Sequence, residues 1–335
     1  QHPQRQTVSN RILNQFKQHD ETPKYPPTVD AHPSVCRYFT NCLFTKTYGD
    51  AMKFPVLLTA LILSPFACAM TPESSGAEEA SRMEAQRATL AEATENAGFG
   101  PQSPRHIGNV RGENPITFST APAFSEMNLC NIHFHKNAEH AGGEFTRYAG
   151  DGDGHGYKSG YVYTGKLTAA ERAPVQPAIC PSSHDALQSG DTIEVHYVFS
   201  SAQVTPGPTL GACLSETNIN PQLRVEAQVF VLVSDDQALD FTDLTAIETA
   251  SGYQQAPNIP ADTGKPIAYA GSTTGPSYNE AGSPLQVSWS VRPRVAKVNI
   301  GSVGQWCEGN VFNEDHAHGV RNLVVNTKLL SPIKH

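Results

Sequence analysis

The sequence is poor in charged residues and has no excess of basic ones. Only 17% of its 335 residues are charged, 39% are hydrophobic, and the formal net charge at pH 7 is −8. This composition excludes a largely disordered chain and a coiled coil. Nucleic-acid binding needs a basic surface that neutralises phosphates, so the acidic balance makes nucleic acid an unexpected partner.

The chain also lacks an apolar run long enough to span a membrane. Its longest run starts at Met52 and Lys53, continues without a charge over residues 54–66 and ends in small residues up to Ala69. Such a pattern is typical of a secretory signal peptide, whereas a span needs about 20 residues. We therefore expect an exported protein, periplasmic or secreted, with no membrane span in its mature form. A lipoprotein anchored at Cys68 is the alternative.

The signal peptide predicted at residues 52–69 divides the chain into unequal parts. Residues 1–51 show no periodic pattern, so we expect them not to belong to the mature protein. Residues 70–99 are rich in Glu, Ala and Ser and are expected to form a linker or an exposed helix. Residues 100–330 are predicted to form one domain.

The domain is predicted to be mainly β with few short helices, because short β-type runs alternate with Gly, Pro, Asn and Ser. One run, 223–234, alternates and then becomes wholly apolar, as a strand does when it enters a sheet interior. The clearest runs are Cys130–Lys136, Gly160–Gly165, Asp191–Ser200, Leu223–Ser234, Leu285–Val291 and Asn322–Lys328.

The cysteines of this domain are compatible with an oxidising compartment. After the predicted signal peptide, four remain: Cys130, Cys180, Cys213 and Cys307. An even number allows two disulfides, in three alternative pairings. The absence of a CxxC pair disfavours a structural zinc site made of four cysteines.

Two of the predicted strands carry their polar side chains on one face. Asn131, His133 and His135 share a face of one strand, and Glu194 and His196 share a face of another,. If these strands are neighbours, three imidazoles converge. Three neutral histidines with an open fourth position are typical of a catalytic zinc site. The amide and the carboxylate are then placed to accept hydrogen bonds from the outer imidazole N–H groups.

The remaining residues of these stretches are expected to have no chemical role. Cys130, Ile132 and Phe134 should lie on the opposite, packing face of their strand. A second His-x-His pair, His316 and His318, falls in a loop-like stretch and is expected to be solvated polar surface.

Several segments resemble known families. Asn128–His140, followed by Gly142-Gly143-Glu144-Phe145, resembles the delta-class carbonic anhydrases. Other segments are distantly similar to the alpha class, in the same order: Gln102-Ser103-Pro104, His133-x-His135, Glu194-x-His196, the loop Tyr269–Pro276 and Val287-Ser288-Trp289. The resemblance covers roughly residues 100–330. It implies a single domain around a large twisted, mostly antiparallel sheet like that of the alpha class.

The same resemblance implies an activity and a ligand set. The activity is reversible, zinc-dependent hydration of CO2 to bicarbonate and a proton, by attack of zinc-bound hydroxide on CO2. His133, His135 and His196 resemble the zinc ligands. Asn131 resembles the residue behind the first ligand, and Glu194 the residue behind the third.

Further roles follow from the resemblance in the rest of the site. Thr274 resembles the catalytic threonine that orients the hydroxide. Its carboxylate partner is expected to be Glu139, with Glu144 as an alternative because the loop after the ligand strand is shorter than in the alpha class. Trp289 is expected to line the apolar substrate pocket, with Val198 as a neighbour.

The proton shuttle is not assigned by the resemblance, because the alpha-class motif is missing. His106 and His140 are candidates by their chemistry, as is His155, since imidazole titrates near neutrality. The oligomeric state is also left open.

Two alternative functions remain at this point. His133, His135, Glu139 and His196 also match the core of a cupin site, which would favour iron or manganese chemistry. Against that reading, Met127 stands where the cupin pattern has Gly. The other alternative is a secreted β-sheet binding module without catalysis.

Overall fold

The computed structural model describes residues 106–111, 117–150, 157–218, 220–274, 282–320 and 333–334. Residues 1–51, the predicted signal peptide 52–69 and the predicted linker or exposed helix 70–99 lie outside these residues, as do the Gln102-Ser103-Pro104 segment, His155 and the predicted strand 322–328. Among the helices that are described, none combines the length and the apolar character needed to cross a membrane.

Strands dominate the described part of the chain, with a few short helices between them. The strands are β1 (Phe118–Ser119), β2 (Asn128–Lys136), β3 (Arg147–Tyr148), β4 (Tyr161–Val162), β5 (Thr192–Ser200), β6 (Leu223–Val233), β7 (Glu248–Ala250), β8 (Tyr253–Gln255), β9 (Ile267–Thr274), β10 (Gly282–Val291), β11 (Ala296–Asn299) and β12 (Ile333–Lys334). The helices are α1 (Phe241–Leu244) and α2 (Ile300–Glu308), with 3₁₀ turns at Phe124–Glu126 and Leu210–Cys213.

Six of these strands form one large sheet in the order β2-β5-β6-β10-β9, and β11 also pairs with β6. The pairings of β2 with β5, β5 with β6 and β10 with β9 are antiparallel. Those of β10 and β11 with β6 are parallel, so the sheet is mixed. The prediction of a mainly β fold around one large sheet is confirmed.

The long central strand β6 is covered along one edge by two strands in succession. Its first half pairs with β10 and its second half with β11. The four residues between them include Pro293, whose lack of an N–H interrupts a ladder. The carbonyl of Pro293 accepts the backbone N–H of Glu144 at 3.0 Å.

Strands β2 and β5 are direct neighbours, which confirms the expectation on which the three-histidine site depends. In their register His133 lies opposite His196, and His135 lies opposite Glu194. Side chains opposite each other in an antiparallel pair point to the same face. The polar faces of the two strands therefore form one continuous surface.

The two faces of the sheet are packed against different layers. Ile132, Phe134, Val195 and Tyr197 pack on one face, where α2 contributes Trp306. Asn299 caps the start of α2 by accepting the N–H of Ser302 at 2.9 Å,. The other face, which carries the imidazoles, has an apolar floor that includes Val198, Val225, Ala227, Tyr269 and Trp289.

Three local expectations need correction. The predicted strand 160–165 is only Tyr161–Val162. The stretch predicted as a loop from Tyr269 is part of strand β9, because it pairs with β10. Cys130 does not share the packing face of Ile132 and Phe134, because the register shifts between Leu129 and Asn131 at a β-bulge,. Cys130 instead packs with Val198 and Trp289.

Two disulfides select one of the three pairings that the sequence left open. Cys130 is bonded to Cys213, and Cys180 is bonded to Cys307. The first ties β2 to the segment between β5 and β6. The second ties the loop before β5 to α2.

Candidate metal centre

Strands β2 and β5 bring three imidazoles together. His133, His135 and His196 each offer a ring nitrogen, and these atoms lie within 4.8 Å of one another. His135 and His196 are buried, whereas His133 is partly exposed. His133 is therefore the member of the group that solvent reaches most easily.

The orientation of His133 is fixed by Asn131. The Asn131 amide N–H donates to the carbonyl of Gly207 at 3.1 Å, which turns its oxygen toward His133. That oxygen accepts from Nδ1 of His133 at 2.6 Å. Because the partner is an acceptor, Nδ1 carries the proton and the lone pair is left on Nε2.

His135 is oriented by the backbone. Its Nδ1 donates to the carbonyl of Gly319 at 2.8 Å, so its Nε2 also carries the lone pair. Burial lowers the pKa of His135 to about 4, although the Glu139 carboxylate acts in the opposite direction,. The imidazole is therefore neutral at pH 7, which is the state that binds a metal ion.

His196 is oriented in the opposite sense. Its Nε2 donates to Oε1 of Glu194 at 3.1 Å, which leaves the lone pair on Nδ1. This Nδ1 lies 3.3 Å from Nε2 of His133. With both protons held elsewhere, two lone pairs face each other at that distance.

Glu194 is the central acceptor behind the site and is completely buried. One oxygen accepts the backbone N–H groups of Glu139 at 2.7 Å and His140 at 3.2 Å. The other accepts from His196 and from Nδ1 of His140, the latter at 2.6 Å. Burial alone would raise the pKa of this carboxyl, but His140 and His196 hold it well below its usual range,.

His140, Glu194 and His196 form a second group whose polar atoms also lie within 4.8 Å. Here the short distances are hydrogen bonds between donors and an acceptor. Nε2 of His140 is in addition bonded to the hydroxyl of Tyr269. This group therefore supports His196 from behind, while the inward lone pairs belong to the first group.

The two candidate carboxylates for the threonine lie in different places. Glu139 is buried, with Oε1 3.6 Å from Nδ1 of His135 and Oε2 3.9 Å from Nε2 of His196. Glu144 is exposed, and its carboxylate accepts the backbone N–H of Val295 at 2.8 Å. Only Glu139 faces the imidazoles.

The expected apolar wall and the threonine are described to different extents. Val198 and Trp289 are buried in the same cluster, and the Trp289 ring lies 5.1 Å from that of His196. Thr274 is the last residue of β9 and pairs with Gly282 through the backbone. Its side chain lies outside the described part of the structure.

The two described candidates for the proton shuttle, His140 and His106, differ in their exposure to solvent. His140 is fully buried, and both of its ring nitrogens are engaged by Glu194 and Tyr269. His106 is exposed, and its Nδ1 accepts the backbone N–H of Gly108 at 3.0 Å.

One residue beside the imidazoles was expected to be surface only. His318 has its ring 5.6 Å from that of His133 and 5.8 Å from that of His135. No spacing signal connects residue 318 with residues 133 and 135, so the sequence could not place it there. The role of the Gly319 carbonyl is hidden for the same reason.

The fold and the site first define a class: a mainly β protein whose central sheet carries three histidines that could hold a metal ion. A family model described as delta carbonic anhydrase matches residues 124–302, which is more than half of the chain. The chain belongs to the delta carbonic anhydrase family, and this membership implies hydration of CO2.

Solved structures of alpha-carbonic anhydrases also show similarity. One, from Photobacterium profundum, is 14% identical, covers 71% of this chain and 92% of its own, and has a TM-score of 0.24. Another, from Thermovibrio ammonificans in complex with sulfanilamide, is 12% identical, with 68% and 84% covered and a TM-score of 0.24. No match was found among curated proteins. The family assignment rests on the family model.

Proposed function

We propose that this chain is a zinc-dependent carbonic anhydrase that holds its metal with His133, His135 and His196. The supporting observation is the direction of three lone pairs. The outer nitrogens donate to Asn131, Gly319 and Glu194, so the nitrogens that carry the lone pairs face one another.

The donor set fits zinc. Two ligands of a tetrahedral zinc, each about 2.0–2.1 Å from the ion, lie about 3.3–3.4 Å apart. The 3.3 Å between Nδ1 of His196 and Nε2 of His133 has this value. When bound by three imidazoles, zinc lowers the pKa of a water molecule to about 7, as is established for carbonic anhydrases as a class.

The surrounding residues orient the reactants. We propose that the Glu139 carboxylate accepts a hydrogen bond from the Thr274 hydroxyl, so that this hydroxyl oxygen is left to accept a hydrogen bond and thereby orients the attacking oxygen. Its burial beside His135 and His196 supports Glu139 over Glu144 in this role. Val198 and Trp289 supply an apolar wall against which CO2 is held.

His140 is no longer a candidate for the proton shuttle. A shuttle must alternate between the site and solvent, and this imidazole is buried with both nitrogens bonded. Of the described candidates, the exposed His106 stays the proposed proton shuttle. No contact between it and the three imidazoles is described.

The cupin alternative is disfavoured by the position of Glu139. Its oxygens face Nδ1 of His135 and Nε2 of His196, which are the outer nitrogens of those rings. A carboxylate in the ligand set would have to face the inner ones. The non-catalytic binding module is set aside by membership of an enzyme family.

We also propose export and a domain at residues 100–330, preceded by a signal peptide at 52–69. Two disulfides are compatible with an oxidising compartment,. A lipoprotein anchored at Cys68 stays the alternative to a free exported protein.

Stopped-flow CO2 hydration together with zinc analysis tests the proposed function. We expect His196→Ala to lose both zinc and CO2 hydration, because two imidazoles then remain. The control is His184→Ala, a ring that stacks on Tyr157 at 3.9 Å outside the cluster, and it should retain both. Full hydration activity in a folded His196→Ala protein would refute the ligand assignment.

A further inference from the structure

The chain after α2 returns to the sheet and runs along the outer edge of β2. The backbone N–H of His318 donates to the carbonyl of Phe134 at 2.8 Å, and its carbonyl accepts the N–H of Lys136 at 2.9 Å. These bonds make a parallel bridge between His318 and His135. Paired residues of a bridge point to the same face, so the His318 side chain shares the face of the metal centre.

The His318 ring lies against two of the three imidazoles. Its centroid is 5.6 Å from that of His133 in an edge-on arrangement and 5.8 Å from that of His135. These distances are in the range of direct ring contact. The position of the His318 ring is set by Glu314, whose Oε2 lies 2.6 Å from Nε2 of His318.

Glu314 is itself held in place by the turn that follows α2. Its side chain is only 10% exposed. Its backbone N–H and carbonyl are both bonded to the Asn310 amide, at 3.1 and 2.7 Å. The same amide donates to the carbonyl of Trp306 in α2 at 2.9 Å. A continuous set of hydrogen bonds thus connects α2 with the ring that touches the metal centre.

The three imidazoles differ in how firmly their surroundings hold them. His196 is buried between Glu194 and the Trp289 ring. His133 is partly exposed, and besides its hydrogen bond to Asn131 its ring contacts the rings of His135, His196 and His318. Of these three rings, only that of His318 comes from a segment outside β2 and β5.

We infer that His318 and Glu314 form a positioning pair, in which the carboxylate fixes the His318 ring and the ring holds His133 and His135 in the metal-binding orientation. This inference rests on the proposed ligand assignment. The pair is not a ligand: His318 is absent from every group of described residues whose donor atoms converge within metal-binding distance. Supporting residues of this kind typically contribute about 10–100-fold to metal affinity.

Cobalt binding to the metal-free full-length chain tests the positioning pair, because the visible absorption of Co2+ reports its coordination geometry as well as its affinity. We expect His318→Ala to bind one Co2+ per chain with at least about tenfold weaker affinity and an altered spectrum. Glu314→Leu, which removes the acceptor but fills the space, should change affinity and spectrum in the same direction by less.

The matched control is His316→Ala. This imidazole lies in the same segment and stacks on His318, with ring centroids 5.9 Å apart, and it is paired with Asp315. It should leave affinity and spectrum unchanged. If His316→Ala matches His318→Ala, the segment as a whole is responsible and the positioning pair is refuted.

The outcomes separate this inference from the proposed function. A wild-type protein that binds no Co2+ contradicts both. A wild-type protein that binds one ion, with His318→Ala and Glu314→Leu equal to it in affinity and spectrum, refutes the positioning pair and leaves the ligand assignment intact. If His318→Ala does not fold, Glu314→Leu and His318→Phe decide: Phe restores a ring beside His133 and should recover most of the affinity.

Discussion

Each of the three proposed ligand residues owes its tautomer to a neighbour. Asn131, Gly319 and Glu194 each accept a hydrogen bond from one ring nitrogen of His133, His135 and His196, respectively. The acceptor fixes which nitrogen of each ring carries the proton,. Burial then keeps His135 neutral. The site is therefore prepared to bind a cation without first losing a proton from this ring.

The lowered pKa of His135 predicts a pH dependence of stability in the metal-free protein. The folded imidazole has a pKa of about 4 against an ordinary value of 6.5, so the unfolded chain binds more protons between these values. The free energy of unfolding should therefore fall as pH decreases from about 6.5 to about 4, by at most about 1.4 kcal/mol per pH unit from this group.

Urea unfolding at a series of pH values checks this expectation, with His135→Gln as the comparison. The variant has no titrating ring at this position, so its stability should change less over the window. The lowered pKa of Glu194 affects stability mainly below 4.5, outside most of the window. Equal slopes for the two proteins would contradict the burial argument.

At the scale of elements, strands β2 and β5 and the polar face of each could be predicted, whereas their pairing entered only as a condition of the three-histidine site. The alternation of polar and apolar residues identified both strands, and their bounds agree closely with the structure. Strand β9 could not be predicted in the same way. Its stretch Gly271-Ser272-Thr273-Thr274 has turn composition, and only its pairing with β10 makes it a strand,.

The bulge in β2 is a second feature that alternation of polar and apolar residues does not predict. Alternation placed Cys130 on the packing face, but one irregular position moves it to the face of the imidazoles. A local shift of this kind depends on the partner strand. The disulfide to Cys213, which ties down the loop with Gly207, could therefore not be assigned from spacing.

The Cys130–Cys213 disulfide is expected to stabilise both the fold and the site. Replacing both cysteines by Ala should lower the free energy of unfolding by about 2–5 kcal/mol, because the bond closes a long loop,. It should also weaken metal binding, since the Gly207 carbonyl that orients Asn131 lies in that loop. Urea unfolding and a metal titration measure the two effects.

The comparison for this variant is the double replacement of Cys180 and Cys307. That bond closes a longer loop, so its loss should lower stability at least comparably,. A double Ala variant at Cys130 and Cys213 with wild-type stability and metal affinity would contradict the role given to this bond.

At the scale of the whole molecule, the two faces of the large sheet have different roles. One face carries the large apolar core with α2, and the other carries the imidazoles above an apolar floor. The segment after α2 passes from the first layer to the edge of β2, where it contributes the Gly319 carbonyl and His318. Contacts between such distant parts of the chain carry no local sequence signal.

We propose that three imidazoles from β2 and β5 bind one zinc ion. X-ray absorption at the zinc edge of the purified protein measures the ligands of that ion. We expect one zinc per chain, with three nitrogen ligands at about 2.0–2.1 Å and one further light atom. A protein without zinc, or with sulfur ligands at about 2.3 Å, would contradict it.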